Sequence, residues 1–393
     1  MTTAYLDRLS QQLDALAAAG RRRVTRPVSA ADAVHVVRDG RMLLNVSSND
    51  YLGLSRHPLL IERARAWAET MGVGATASRL VCGTLEAHAT VEAKLAAFKG
   101  TEAALVLNSG YQANEAMLAA LLMPEVAGRA PLVFVDRLAH ASMHEGLKAA
   151  GVRQIRFRHN DMAHLEDLLR KREGEPGPRF IVTESVFSMD GDRADLPALC
   201  DLAERFGAFL YVDEAHATGV LGPEGRGPTC DPAVAGRVDM VMGTFGKALG
   251  GFGAYAACSA VLRDWLVNKA GGFIYSTAVP PPVMGAIDAA LDLVPTLEAE
   301  RARLHAHADR LRAALGAKGL DSCGSTTQIV PAVLGSEEAA LSAMTALEEA
   351  GVLAVAIRPP TVPAGASRLR FALSAAHTDA DMDRLIAVVE ALA

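Results

Sequence analysis

Between residues 86 and 216 the chain alternates without a break between helix-patterned and strand-patterned segments, and this leaves few folds open. EAHATVEAKLAAFKG precedes EAALVLN, YQANEAMLAALLM precedes PLVFVD, and SMHEGLKAAG precedes VRQIRFR. AHLEDLLRKREG then precedes RFIVTESVF, and LPALCDLAERFG precedes AFLYVDEAH. The first member of each pair has the composition and spacing of a helix. The second is short, β-branched and nearly continuous in apolar residues. Strands apolar on both sides must be covered on both faces, and the intervening helices supply that cover. The pattern predicts an α/β protein with a mainly parallel sheet. In such sheets ligands gather where strands end, so the residues just after each strand carry the chemistry.

Those positions are polar. Asp213, Glu214 and His216 follow AFLYV; Arg137 and His140 follow PLVFVD; Ser188 follows RFIVTESVF; Ser109 and Gly110 follow EAALVLN and open a helix. Lys247 follows VDMVMGTF and is surrounded by glycines. Each alone has a plain structural use: a lysine or aspartate as an ion-pair partner, a histidine as a satisfied polar residue, a serine as a helix cap. Together they fit pyridoxal phosphate (PLP). A lysine amine forms a Schiff base with its aldehyde and serves as a base at the substrate α-carbon. A carboxylate holds the pyridine nitrogen protonated, a histidine stacks on the ring, and a helix N-terminus binds the phosphate. Two rival motifs fail. GFGAYA (251–256) opens no helix, and GTFGKA lacks the gap and the hydroxyl residue of a P-loop.

The flanks suggest a division of the chain. Residues 4–19 place Leu6, Leu9, Leu13 and Leu16 at helical spacing, and RMLLNVSSNDYLGLS (41–55) reads as a strand and a turn-rich loop. YSTAVPPPVMGA (275–286) is rich in proline, and a long helical segment follows over about 287–317. The tail reads helix, strand (VLAVAIRPP), strand (SRLRFALS), helix. We expect an N-terminal segment 1–45, a large domain 46–286 and a small α+β domain 287–393, a size of chain that accommodates two domains. With 39 Lys and Arg against 45 Asp and Glu, net charge −6, nucleic acid is not an expected partner. No apolar run reaches a membrane span and no signal-peptide core opens the chain, so a cytoplasmic protein is expected. The five cysteines form no C-x-x-C pair, which argues against a zinc site or a disulfide framework.

SSNDYLGLS, NSGYQAN, TESVFSMDGD, VDEAHATGVLG, TFGKALGGFG, IYSTAVPP and IRPPTVPAGASRLRFALSAAHT occur in an order that resembles the α-oxoamine synthases, over about 40–390. That resemblance implies an aspartate-aminotransferase-like fold, PLP fold type I, with a large domain built on a mainly parallel seven-stranded sheet. It implies PLP as cofactor and a homodimer with sites at the subunit interface. Lys247 would be the Schiff-base and acid–base residue, Asp213 the pyridine partner, and His140 the stacking group. His216 and Ser188 would serve the phenolic oxygen. Ser109, the Gly110 and Tyr111 backbone and Thr244 would hold the phosphate, with Ser276 and Thr277 reaching a neighbouring subunit's phosphate. Asn49 and Arg370 would bind the amino-acid carboxylate, and Thr361 would lie near the acyl chain. IRPPTVPAG resembles the branch that joins L-alanine to a pimeloyl thioester, carried on coenzyme A or a carrier protein, to make 8-amino-7-oxononanoate for biotin. Arg21 falls where that branch has an arginine for the distal carboxylate; the RRR run at 21–23 also suits a solvated basic turn. GATASRLVCGT (74–84) is shared between branches, which leaves a sister synthase using glycine and acetyl-CoA or another acyl-CoA as the alternative.

Overall fold

The structure, a computed structural model, describes residues 2–128 and 130–392. Near the N-terminus β1 (Ser29–Ala30), β2 (His35–Arg38) and β3 (Arg41–Asn45) form an antiparallel ribbon. The central sheet is made of β4 (Ala103–Leu107), β5 (Leu132–Asp136), β6 (Gln154–Phe157), β7 (Arg179–Glu184), β8 (Ala208–Asp213), β9 (Met240–Thr244) and β10 (Ala254–Cys258). Its order is β4-β10-β9-β8-β7-β5-β6. Neighbours from β9 to β6 pair in parallel; β10 alone runs against both β4 and β9. The seven-stranded, mainly parallel sheet read from the sequence is therefore present, with one reversed strand that the sequence reading did not assign.

Alternation along each strand feeds two separate cores. Val133 and Val135 of β5 pack with the helices Gly110–Leu121 and Ala141–Ala149, while Leu132 and Phe134 face Met162–Arg170 and Leu196–Phe206. All four are buried, as two-sided cover demands. The helices start where the sequence supplies caps: Ser109, Asp161 and Asp195 each accept a backbone N–H from the first turn. β10 fits between its neighbours because Gly243 of β9 lies under the Tyr255 ring; a Cβ there would stand 2.3 Å from it.

The C-terminal part holds β11 (Ile329–Gly335), β12 (Val352–Leu353), β13 (Val355–Ile357) and β14 (Ser367–Ala372). β11, β14 and β13 form one sheet. VLAVAIRPP thus divides: β12 pairs with β3 and β13 with β14. The proline run heads a helix, Pro281–Leu293, in which prolines at the first turn cost no hydrogen bond. That helix packs on Pro58–Met71, with Gly285 against Trp67, so residue 286 falls inside an element of the large unit. The helix expected over 287–317 is broken at Val294–Thr296, around Pro295, and resumes as Glu298–Ala317. We propose this break as the start of the C-terminal unit, with β1–β3 attached to it through β12. The N-terminal helix Thr2–Ala18 leaves Leu6, Leu9, Leu13 and Leu16 exposed. Among the described residues no helix is long and apolar enough to cross a membrane.

Candidate active site

The C-terminal ends of β4, β5, β7, β8 and β9 converge on a cavity of about 260 Å³. Of the residues singled out from sequence, Asn49, Ser109, Gly110, Tyr111, His140, Asp213, His216, Thr244 and Lys247 border it. They come from separate segments and meet only because parallel strands end on one edge.

Lys247 Nζ lies 2.8 Å from His216 Nε2, and His216 Nδ1 lies 2.6 Å from the Tyr51 hydroxyl, which donates to Asn49 Oδ1 at 3.1 Å. Protons that satisfy this chain put an N–H of Lys247 onto Nε2 and leave the imidazole proton on Nδ1. Burial pushes His216 well below the ordinary histidine range, reinforced by Lys247 and Arg370, so it stays neutral. Burial also lowers Lys247, to about 8, against the opposing pull of Asp213. A lysine so placed is neutral in a useful fraction near pH 7.

A second network runs from Asp213. Its carboxylate accepts from the Ala215 N–H at 2.8 Å and from Asn114 Nδ2 at 2.9 Å. Asn114 is held by the Tyr211 hydroxyl (2.6 Å) and also donates to Ser142 Oγ (2.9 Å), which lies 2.7 Å from His140 Nδ1. The Ser142 N–H faces the same Nδ1 at 3.2 Å, so Nδ1 is an acceptor and the ring proton sits on Nε2. Burial holds His140 below its usual range despite Asp213.

The opposite end of the cavity suits a phosphate. The helix Gly110–Leu121 begins there, capped by Ser109, with its first N–H groups free for an anion. Thr244 Oγ1 is buried and has no hydrogen-bond partner among the described residues. Gly110 has no room for a side chain, since a Cβ would stand 2.6 Å from Thr244 Cγ2. An orphan hydroxyl, a bare helix start, a doubly held carboxylate and a near-neutral lysine together match the donor set that PLP needs.

Other expected residues lie off this cavity. Ser188 is buried, and its carbonyl accepts from Arg370 Nε at 2.6 Å; Arg370 reaches the site through Asn49 Oδ1, at 3.4 Å from both terminal nitrogens. Ser276 bonds Gln112 Nε2 at 2.7 Å, and the Thr277 carbonyl accepts from Asn108 Nδ2 at 2.7 Å. Thr361 is exposed, and Arg21 is exposed in an ion pair with Glu337 at 2.6 Å. Conversely, sequence reading passed over Asn114, Ser142 and Glu184, which border the cavity, and Tyr51 behind His216. Only Ser142, two residues after His140, carried a local signal.

His159 braces the approach to His140. Its two ring nitrogens lie 3.0 Å from Asp136 and 2.9 Å from Asp192, and Asp136 also accepts from the Leu138 N–H at 2.8 Å in the turn before His140. Burial alone would lower His159, but the two carboxylates outweigh it and raise it to about 10. A folded-state value above the unfolded one stabilises fully below the ordinary histidine pKa, about 6.5, and is lost as pH rises toward 10. His159→Gln is therefore expected to cost about 2 to 4 kcal/mol at pH 6, shrinking steadily toward pH 10, in urea unfolding of both proteins.

The family model for class I and II aminotransferases matches residues 41–389. An 8-amino-7-oxononanoate synthase of Gluconacetobacter diazotrophicus is 61% identical over 94% of this chain and 92% of its own. The chain belongs to the 8-amino-7-oxononanoate synthase family. A solved 8-amino-7-oxononanoate synthase from Francisella tularensis superposes at TM-score 0.75 with 26% identity, covering 88% of this chain and 97% of that one. Serine palmitoyltransferase from S. paucimobilis, with bound PLP–myriocin, superposes at 0.90 with 29% identity, covering 99% and 97%. The synthase family's fold is thus the class I and II aminotransferase fold, shared with a palmitoyltransferase.

Proposed function

We propose that this synthase-family enzyme uses PLP to condense L-alanine with a pimeloyl thioester, giving 8-amino-7-oxononanoate, CO2 and the free thiol. The observation that carries the reading is a half-buried Lys247, lowered to about 8, lining the same cavity as Asp213. The named relative at 61% identity supports the choice of substrates over glycine and acetyl-CoA.

When bound, PLP supplies an aldehyde that captures amines and a ring that accepts the electron pair left at the substrate α-carbon. Lys247 would hold the cofactor through its amine and, when that amine is free, would take the substrate α-proton. Asp213 would pair with the ring nitrogen, its carboxylate held in place by the Ala215 N–H and Asn114. His140 stacks on the ring, fixed by Ser142. His216 and Ser188 serve the phenolic oxygen. Ser109, Thr244 and the Gly110 and Tyr111 N–H groups hold the phosphate. Asn49 and Arg370 take the alanine carboxylate and set the Cα–H bond across the ring plane. Thr361 flanks the acyl chain. Ser276 and Thr277 lie off this chain's cavity next to the exposed Tyr275, which suits a homodimer in which they complete the neighbour's phosphate site. The acyl carrier is coenzyme A or a carrier protein.

Mass spectrometry of products from carboxyl-labelled L-alanine and pimeloyl-CoA tests this. The label should leave wholly as CO2; label retained in the condensed product would sink the decarboxylative route. Arg21 is assigned to the distal carboxylate, for which the substrate must displace Glu337. Arg21→Ala should raise KM about tenfold for pimeloyl-CoA and leave heptanoyl-CoA, which lacks that carboxylate, unchanged. Equal effects on both thioesters would return Arg21 to a surface role.

A further inference from the structure

We propose that Glu184 stands in the pocket wall as a neutral carboxylic acid that donates a hydrogen bond to the ring-hydroxyl oxygen of the bound cofactor. The acceptor half rests on the PLP reading above; the protonation half does not.

Glu184 ends β7 and Asp213 ends β8, and the parallel register pairs them directly. Side chains at paired positions of adjacent strands share a face, about 5 Å apart at the backbone. Both border the cavity, and they are only 2% and 4% exposed. Two carboxylates so placed in a water-poor wall do not both ionise when one of them is far better solvated by protein. Asp213 is that one: it accepts from Ala215 and Asn114. Glu184 has the His140 backbone N–H beside it, and its Oε1 has no partner among the described residues. The titratable groups that face it are Asp213 from β8, Lys247 beyond β9 and Asp136 from β5. Burial and the Asp213 charge raise Glu184 well above the usual carboxylate range, and Lys247 does not offset them. The proton therefore resides on Glu184, and its O–H is a donor without an acceptor among the described residues.

Strand order identifies the acceptor. The helix start at Ser109–Gly110 follows β4 and Thr244 ends β9, so the phosphate end lies on the β9 side of Asp213. Glu184, on β7, lies on the other side. In PLP the phosphate arm and the ring hydroxyl flank the aldehyde carbon on opposite sides of the ring. With the ring nitrogen on Asp213, the hydroxyl edge faces β7. An ionised Glu184 there would repel the phenolic oxygen; a protonated one bonds it. The other buried acid next to Asp213, Glu214, is excluded from this role because Lys99 already pairs with it.

Infrared difference spectra of wild type minus Glu184→Gln, on apoprotein and on PLP-loaded protein at pH 7, test both halves. The wild type should show a protonated-acid carbonyl band that moves in D2O, and loading with PLP should lower its frequency. No such band in the apoprotein overturns the proposal. A band that loading leaves unmoved overturns the acceptor. Failure of the protein to bind PLP, read from visible absorption, overturns the functional reading and the acceptor while the apoprotein band still decides the proton. Urea unfolding of the apoproteins gives an independent reading. The folding constant of Glu184→Gln relative to wild type should rise about tenfold per pH unit between pH 5 and 8, because only the unfolded wild type releases the proton. A ratio constant with pH would mean that Glu184 is ionised.

Discussion

Lys247→Ala is expected to lower thiol release from a pimeloyl thioester by about 10⁴-fold, the scale of losing a covalent and acid–base group together. The Lys247 amine borders the cavity, is half-buried and is lowered into the working pH range, to about 8. His216 cannot replace it, because burial makes that imidazole too weak a base, Tyr51 holds its other nitrogen, and it has no amine to condense with an aldehyde. His140 is tied to Ser142 on one side. Among the described residues no second amine borders the cavity, so neither cofactor capture nor α-proton removal would have a substitute. The glycines around Lys247 leave backbone space in which its side chain would swing between its proposed roles as cofactor amine and base. Steady-state thiol release checks this. A loss smaller than tenfold would show that Lys247 is neither the cofactor amine nor the base.

Lys99→Met is expected to lower the free energy of unfolding by about 3 to 5 kcal/mol. The side chains of Lys99 and Glu214 are wholly buried and paired. Lys99 also donates to the Arg226 carbonyl and, at 3.3 Å, to Thr229 Oγ1; the second oxygen of Glu214 takes the Thr229 N–H at 2.7 Å. One ion pair thus closes the 226–229 loop onto the end of β8. Gly227 permits the approach, because a Cβ there would meet Glu214 Oε2 at 2.3 Å. Removing the cation leaves a buried carboxylate with one donor, next in sequence to Asp213. Glu214→Gln added to Lys99→Met removes the stranded charge and should recover about half of the loss. Urea unfolding of the three proteins decides: a single-mutant loss below about 1 kcal/mol, or no recovery in the double, would contradict this account.

The parallel strands were legible because β5, β7, β8 and β9 are buried on both faces and read as apolar runs. β10 was not, since AYAAC is alanine-rich and follows three glycines in four residues; β4 and β9 on either side make it a strand. β11 was hidden by Pro331 in its middle, and VLAVAIRPP divides between two sheets for reasons of tertiary pairing alone. The cavity followed the same rule. Lys247, Asp213, His140 and Ser109 follow or end strands, where topology makes a site. Asn114 lies inside a helix, and Tyr51 meets His216 across 165 residues, a contact with no trace in local pattern. Glu184 was missed because it closes an apolar strand, and only register places it beside Asp213. Arg21 and Thr361 sit on the surface away from the cavity, where motif position says nothing of side-chain placement.

The most direct measurement is kcat/KM for four crossed pairs: L-alanine or glycine, each with pimeloyl-CoA or acetyl-CoA. The account predicts that L-alanine with pimeloyl-CoA exceeds every other pair by at least about 100-fold, the scale set by one lost charge-assisted contact and one unfilled methyl pocket. A preference for glycine with acetyl-CoA would contradict it and place the enzyme in the sister branch.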